Sequence, residues 1–274
     1  MSFRAKYEAA SRTHRSLLCI GLDPDESRLP RGVPVARYLQ QIVEATSDLV
    51  CCFKPNAAFF EQRGERGWRD LRATIDAVPG DVPVLLDAKR GDVGSTAAAY
   101  ARAAFEELGA DAMTVNGWGG RDAVEPFLAY DDRHSFIWCR SSNPGGVELQ
   151  DLRLADGRPL YERVAALAVE WNTRGNVGLV AAATYPEQAA RLREIAPHLL
   201  LLIPGVGAQR GAVAAAVRAG ADADGGGILV AASRSVLYAG EAVGARDLAG
   251  YAAAARAAAE KLRDEIEEAR AVGV

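Results

Sequence analysis

The chain has 274 residues, of which 49% are hydrophobic and 25% charged, so it can bury a full core. Its net charge of -4 and the lack of a basic run exclude the electrostatic footprint of a nucleic-acid-binding protein, and no apolar run approaches the roughly 18 residues of a membrane span. Residues 1–14 are polar and contain no apolar signal-peptide core, so we expect a cytoplasmic protein that binds neither nucleic acid nor membrane.

The cysteines and histidines give little support for a metal site. Each cysteine falls in a predicted buried strand, without a Cys-x-x-Cys pair or a nearby histidine: Cys19, Cys51, Cys52 and Cys139. This pattern predicts reduced core thiols and no bound metal, zinc ligands and disulfides being far less favoured. The three histidines lie outside every motif, so a histidine-based metal site or catalytic triad has almost no support.

Apolar strand-like runs alternate with helical patterns along the chain. The predicted strands are residues 16–22, 49–54, 82–87, 112–115, 135–139, 177–183, 199–203 and 227–231. Eight parallel strands, most followed by a helix, in roughly 250 residues are what a closed barrel requires, whereas a doubly wound sheet usually has fewer strands. We therefore predict an α/β fold, a (β/α)8 TIM barrel formed as one domain by residues 1–274, with an alanine-rich outer helix at 248–268.

The third predicted strand carries charges where a buried strand tolerates few. Its apolar run leads into the segment Asp87-x-Lys89-x-x-Asp92. Because residues two apart on a strand share one face, Asp87 and Lys89 are expected to project together. Gly91 then turns the chain, and Thr96 begins an alanine-rich helix predicted over residues 96–108.

Polar residues also collect at the carboxyl ends of the neighbouring predicted strands, where barrel enzymes hold their active sites. Besides the third strand, these ends carry Asp23, Lys54, Asn116 and Ser142. Two lysines and three carboxylates then share one mouth, and their charges must alternate because like charges repel strongly at low dielectric. Asn116 fits a turn-capping residue better than a ligand contact.

The segments after the last two predicted strands contain glycines, a serine and an arginine instead of paired charges. A glycine-rich run from Gly205 to Gln209 follows the seventh strand, and Ser233-Arg234 follows the eighth. Glycine-rich backbone with an arginine at this place is the usual phosphate cradle of such barrels. Glycines alone would as easily form a tight loop, but the serine and arginine on the next strand favour an anionic phosphate ester as the ligand.

These motifs resemble the orotidine 5′-phosphate decarboxylase family, in its longer bacterial form, over nearly the whole chain. The most specific match is the Asp87-x-Lys89-x-x-Asp92 segment with Thr96. Supporting matches lie at residues 22–24, 53–56, 142–145, 204–209 and 233–234. The resemblance implies decarboxylation of orotidine 5′-phosphate to UMP and CO2 in pyrimidine biosynthesis, without cofactor or metal, in a homodimer with shared active sites.

The resemblance also implies a role for each site residue. The charged catalytic array would consist of Lys54, Asp87, Lys89 and Asp92, with Asp92 and Thr96 reaching into the site of the other subunit. The implied substrate contacts are ribose hydroxyls for Asp23 and Lys54, the pyrimidine edge for Ser142, and the phosphate for Gln209 and Arg234.

The chemistry of decarboxylation supports the role of Lys89. Loss of CO2 from C6 of the pyrimidine leaves a carbanion that no cofactor delocalises, so a cation beside C6 must stabilise the charge and deliver the proton. Between Asp87 and Asp92, Lys89 is expected to stay charged and in position. Segments 142–146 and 205–211 are candidate lids that close over the substrate through phosphate contacts.

Three other functions fit parts of the pattern. Barrels of the same superfamily that act on sugar phosphates as decarboxylases or aldolases recruit Mg²⁺, usually with an added acid where this chain has Lys54. A Schiff-base aldolase needs a desolvated lysine, whereas Lys89 lies between carboxylates. A non-catalytic phosphate-binding barrel predicts loss of at least one member of the charged array, and all are present. Decarboxylation is therefore favoured.

Overall fold

The computed structural model describes residues 1–205 and 210–272. These ranges contain eight parallel strands. From β1 to β8 these are Leu18–Leu22, Cys52–Pro55, Leu85–Arg90, Ala112–Val115, His134–Arg140, Val177–Ala181, Leu200–Pro204 and Ile228–Ala232. Each predicted strand corresponds to one of them. The reason is that strands of a parallel sheet are buried on both faces and so read as continuous apolar runs.

Hydrogen bonds join the strands in the order β2-β1-β8-β7-β6-β5-β4-β3. Two parallel bridges, Phe53 with Val84 and Asn56 with Asp87, then connect β2 to β3 and close the ring. The predicted (β/α)8 barrel is confirmed. In β1, β6 and β8 every residue is buried, so the barrel wall is part of the core.

Helices connect the strands and form the outer layer. From α1 to α13 the α-helices of the described residues are Phe3–His14, Val35–Thr46, Ala57–Glu61, Gly64–Asp76, Gly94–Arg102, Arg121–Leu128, Val147–Gln150, Leu160–Trp171, Pro186–Ile195, Arg210–Gly220, Arg234–Leu237, Ala239–Ala242 and Leu248–Ala271. Within the described ranges, no helix has the length and apolar character needed to span a membrane.

Two predicted helices differ slightly at their ends. The helix predicted over 96–108 begins earlier, at Gly94, and its last turn, Ala103–Glu107, has π geometry. The helix predicted over 248–268 continues to Ala271. Helix ends are set by local capping contacts, which a pattern of apolar residues locates only approximately.

Strand β3 differs more from its prediction. It runs to Arg90, beyond the predicted end at Asp87. Its pairing with β4 shifts register between Leu86 and Arg90, and Lys89 has a positive φ of 48°. Asp87 and Lys89 therefore lie in a bulge within the strand, and Asp92 follows the end of the strand.

Helix α1 covers the amino-terminal end of the barrel. The ring of Phe3 stacks on His134, with 5.2 Å between centroids, and meets Phe136 edge-on at 5.7 Å. The hydroxyl of Tyr7 donates to the carbonyl of Ile228, the first residue of β8, at 2.8 Å. These contacts pack α1 against the amino ends of β5 and β8.

Candidate active site

Asp87 lies at the centre of a charged cluster at the carboxyl ends of β2 and β3. Its Oδ2 accepts a hydrogen bond from Nζ of Lys54 at 3.1 Å, and its Oδ1 accepts one from Nζ of Lys89 at 2.6 Å. The side chains of Lys54 and Asp87 are 7% and 10% exposed, whereas Lys89 is 35% exposed. Lys89 is therefore the member of the cluster that a ligand can reach most easily.

The buried charges of this cluster stabilise one another. Burial by itself raises the pKa of Asp87, but the ammonium groups of Lys54 and Lys89, with hydrogen bonds from Lys89 and Thr114, lower that pKa far below its ordinary value. Burial by itself lowers the pKa of Lys54, but the carboxylates of Asp87 and Asp23 raise it above its ordinary value. Both groups are charged at neutral pH, and the carboxylate of Asp87 lies between the ammonium groups of Lys54 and Lys89.

A threonine of β4 contacts the β3 bulge. The hydroxyl of Thr114 donates to Oδ1 of Asp87 at 2.9 Å, and it accepts the backbone N–H groups of Ala88 at 3.0 Å and Lys89 at 2.9 Å. Thr114 is fully buried. The sequence does not single it out, because a threonine within a strand pattern is ordinary.

Two aromatic residues beside the site are also missed by sequence reasoning. The ring of Trp138, on β5, has its centroid 5.9 Å from Nζ of Lys89. The hydroxyl of Tyr238 donates to the carbonyl of Asp23 at 2.9 Å and accepts the N–H of Asp25 at 2.7 Å, which fixes the chain after β1. Nothing in the local pattern distinguishes an aromatic ring at the barrel mouth from one in the core.

A cavity of about 870 Å³ opens beside Lys54, and its walls include Asp23, Gly205, Ser233 and Arg234. This volume lies within the range of roughly 300–1,000 Å³ that is usual for small-molecule sites. Oδ1 of Asp23 and Oγ of Ser233 are buried without a hydrogen-bond partner among the described residues. Both residues line the cavity, and buried polar atoms are rarely left unpaired in folded proteins.

Two of the three residues predicted to contact the pyrimidine and the phosphate belong to the described residues, and both lie near this cavity. Arg234 is exposed at the start of α11 and forms part of the cavity wall. Ser142 is exposed in the loop after β5. A Cβ added to Gly205, which follows β7, would lie 3.9 Å from the Cβ of Ser142, so the loops after β5 and β7 meet here. Gln209, the other predicted phosphate ligand, lies outside the described residues.

Asp92 and Thr96 lie apart from the cluster. Asp92 is exposed, and its Oδ1 accepts the backbone N–H of Val93 at 2.7 Å. Thr96 is half-buried in α5. Among the residues that the structure describes, Lys89 forms its ion pair with Asp87 and none with Asp92. A single chain therefore leaves Asp92 outside the charged cluster.

Asn116, at the end of β4, caps a turn as predicted. Its Oδ1 accepts the backbone N–H of Trp118 at 2.9 Å. Its own backbone N–H donates to the carbonyl of Arg90 at 2.7 Å, which ties the end of β4 to the end of β3.

The cysteines are buried and free, as predicted. Burial raises the pKa of Cys51 and of Cys52 well above the ordinary thiol value, so both stay protonated. Within residues 1–205 and 210–272, no three His, Cys, Asp or Glu side chains are grouped so that they could hold a metal ion.

The fold and the site together define a class of protein. In (β/α)8 barrels the catalytic residues come from the carboxyl ends of several strands. Here that end carries a lysine–aspartate–lysine cluster and a ligand-sized cavity beside it. This is the architecture of a (β/α)8-barrel enzyme.

Comparison with known proteins gives the family. Residues 16–247 match the model of the orotidine 5′-phosphate decarboxylase / HUMPS family. A protein of Roseiflexus sp. (strain RS-1) named orotidine 5′-phosphate decarboxylase is 51% identical over 275 residues, 98% of each chain. One of the same name from Aromatoleum aromaticum is 51% identical over 98% of this chain and 100% of its own. The chain belongs to this family, as the resemblance predicts.

Solved structures agree with this assignment. The structure of Leishmania donovani OMP decarboxylase superimposes with a TM-score of 0.85 at 42% identity, covering 98% of this chain and 99% of that one. A putative orotidine-monophosphate-decarboxylase from Toxoplasma gondii gives a TM-score of 0.89 at 36% identity, covering 100% of this chain and 97% of that one. The likeness therefore extends over the whole barrel.

Proposed function

We propose that this chain decarboxylates orotidine 5′-phosphate to UMP and CO2, a step of pyrimidine biosynthesis. Relatives that are 51% identical over nearly the full chain carry the name of that enzyme. The observation that carries the proposal is the cluster in which buried Asp87 holds the ammonium groups of Lys54 and Lys89 at the barrel mouth. The free buried cysteines fit the reducing cytoplasm, where we place the enzyme.

Lys89 acts on C6 of the pyrimidine in this proposal. When the bond between C6 and the carboxylate breaks, CO2 leaves and the electron pair remains on C6. The ammonium of Lys89 stabilises that charge and gives a proton to C6, which forms the new C–H bond, and solvent then reprotonates the amine. Because Asp87 already holds the ammonium at 2.6 Å, its position is set before the reaction, as electrostatic preorganisation requires.

The remaining site residues bind the substrate away from C6. We assign the ribose hydroxyls to Asp23 and Lys54, and the position of both residues in the cavity wall supports this. Ser142 contacts the pyrimidine edge from the loop after β5. Arg234, at the cavity wall, and Gln209 bind the phosphate. These contacts use no metal or cofactor.

Asp92 and Thr96 complete the site of a partner subunit in a homodimer. Asp92 is exposed, and the same segment exposes apolar side chains, with Val93 at 66% and Tyr100 at 37%. Exposed apolar side chains next to an exposed charged residue are compatible with a protein interface. Across such an interface, Asp92 would supply Lys89 with a second carboxylate.

A mixed dimer tests the sharing of sites. Homodimers of Lys89→Ala or of Asp92→Ala have no intact site, whereas a heterodimer of the two has one site with both residues present. If the sites are shared, an equal mixture of re-associated chains regains about a quarter of the wild-type activity, because half of the dimers are mixed. Activity no higher than that of either parent contradicts the sharing of sites.

The direct test of the activity follows the loss of absorbance of orotidine 5′-phosphate in excess EDTA. Wild type is compared with Lys89→Ala and with Lys261→Ala, whose exposed lysine on α13 controls for the loss of one positive charge. We expect rapid turnover by the wild type and the control, and none by Lys89→Ala. Turnover that requires Mg²⁺ would favour the metal-dependent alternative, and no turnover of this substrate would contradict the proposal.

A further inference from the structure

The backbone that carries Lys89 has an unusual conformation. Leu86 pairs with Met113 and Arg90 pairs with Val115, so the three β3 residues 87–89 stand opposite the single β4 residue between Met113 and Val115. Within this bulge Lys89 has a φ of 48°, a left-handed conformation that side chains with a Cβ disfavour. Such a conformation persists only where surrounding contacts hold it.

Thr114 is the β4 residue opposite the bulge, and its hydroxyl makes the contacts. It accepts the N–H groups of Ala88 at 3.0 Å and Lys89 at 2.9 Å, and it donates to Oδ1 of Asp87 at 2.9 Å. A hydroxyl has one donor and two acceptor sites, so this one is fully used. The same Oδ1 accepts the ammonium of Lys89, so one oxygen atom of Thr114 is linked to both ends of that side chain.

We infer that Thr114 is a positioning residue for decarboxylation, which acts by holding the Lys89 bulge and the Asp87 carboxylate in one arrangement. The inference rests on the proposed function. Thr114 is fully buried, so its effect reaches the substrate only through Asp87 and Lys89. Without its hydroxyl, two N–H groups of the bulge lose their acceptor and the carboxylate loses a donor, which leaves the ammonium free to shift.

The test compares Thr114→Val, which removes the hydroxyl at nearly constant shape, with Thr114→Ser, which keeps it. Thr46→Val is the matched control, because Thr46 is also fully buried and its hydroxyl donates to a helix carbonyl, that of Ile42, at 2.7 Å. For each protein, kcat and KM for orotidine 5′-phosphate, the Kd for UMP by calorimetry, and Tm are measured.

In Thr114→Val we expect kcat to fall by about 10- to 100-fold, because small displacements of a catalytic group have effects of this size. KM and the Kd for UMP should change by less than about threefold, because the contacts away from C6 remain. Thr114→Ser should retain kcat within about threefold of the wild type. Thr46→Val should lower Tm and leave kcat unchanged.

If the wild-type protein is active, either of two results overturns the inference. One is a kcat of Thr114→Val equal to that of the wild type, and the other is an equal loss of kcat in Thr114→Ser and Thr114→Val. If Thr114→Val does not fold, Thr114→Cys takes its place, since a thiol is a poor hydrogen-bond acceptor and the same loss of kcat is expected. Wild-type protein that does not turn over orotidine 5′-phosphate contradicts the proposed function instead, and this is seen before any variant is made.

Discussion

Each end of the barrel buries an aspartate between two basic side chains, Asp87 at the carboxyl end and Asp111 at the amino end. The two aspartates differ in their surroundings. At the carboxyl end, Asp87 pairs with Lys54 and Lys89, and a cavity of about 870 Å³ opens next to Lys54. Lys89 is held in a left-handed conformation and keeps 35% of its side chain exposed. This end therefore combines backbone strain with an accessible cation.

At the amino end, Asp111 is held in a regular setting. Its Oδ1 accepts from Lys6 at 2.8 Å and from Arg133 at 3.4 Å, and its Oδ2 accepts the backbone N–H of Val84 at 2.9 Å. The carboxylate is 5% exposed, and α1, which carries Lys6, covers this end. These contacts join α1 to the barrel wall.

Similar ion pairs therefore serve different purposes at the two ends of the barrel. At the amino end they fix one element onto another, which stabilises the fold. At the carboxyl end they keep a cation charged and in place beside a site for ligand, where strained residues are typical of functional sites. Substitutions at Asp87 should therefore change activity, and substitutions at Asp111 should change stability.

The largest effect is expected when the substrate at the carboxyl end is shortened. Orotidine lacks the phosphate and cannot bind Arg234, so the binding energy that would close the candidate lids is lost. Its kcat/KM, from the absorbance assay, should be about 10³-fold or more below that of orotidine 5′-phosphate. A difference of less than about tenfold would refute the closure of lids by phosphate contacts.

Asp87→Asn should lower kcat/KM by about 10²- to 10³-fold, because a neutral amide cannot hold two ammonium groups in place. The same absorbance assay measures this loss, and Tm shows that the variant is folded. Activity close to that of the wild type would mean that the charge of Asp87 has no part in the reaction.

Asp111→Asn is the matched change at the amino end. Its free energy of unfolding, measured in urea, should fall by about 1–3 kcal/mol, a modest loss because Lys6 and Arg133 are 20% and 24% exposed and solvent screens their charges. The value of kcat should stay within about twofold of the wild type. An activity loss as large as that of Asp87→Asn would contradict a purely structural role for Asp111.

The smallest effect is a pH dependence of stability at the amino end. Burial, with a contribution from Arg4, lowers the pKa of His134 from 6.5 to about 3. As the pH falls below 6.5, His134 binds a proton in the unfolded chain but not in the folded chain. The free energy of unfolding therefore decreases as the pH falls. The free energy of unfolding should fall by about 1 kcal/mol between about pH 6.5 and 5.5.

His134→Phe keeps a ring against Phe3 and removes the titrating group. Its free energy of unfolding should lack this part of the pH dependence, while kcat at neutral pH stays that of the wild type. The same pH dependence in both proteins would show that His134 is not its source.

The strands and the gathering of charge at one rim are predictable from the sequence. Strand β4 has the predicted bounds, Ala112–Val115, because a buried parallel strand requires an apolar run. Lys54 and Asp87 meet because closure of the barrel brings the carboxyl ends of β2 and β3 to one rim. The placement of Asp92 in a partner's site and of Gln209 on the phosphate stay predictions.

Asp87 and Lys89 form the predicted pair, but the backbone between them differs from the regular strand that the prediction assumed. Strand alternation assumes a regular backbone, whereas the pair lies in a bulge where Lys89 has a φ of 48°. A bulge depends on the neighbouring strand, which the local pattern does not include.

The eight strands, the rim that holds the charges and the family can all be inferred from the sequence, since apolar runs and motif spacing are properties of short segments. The contact of Thr114 with the Lys89 bulge, and the position of Asp92 outside the cluster of its own chain, depend on how the strands are arranged in space. The bond from Thr114 to Asp87 joins residues 27 positions apart. Such a contact depends on strand register and barrel closure, which no single segment of the sequence specifies.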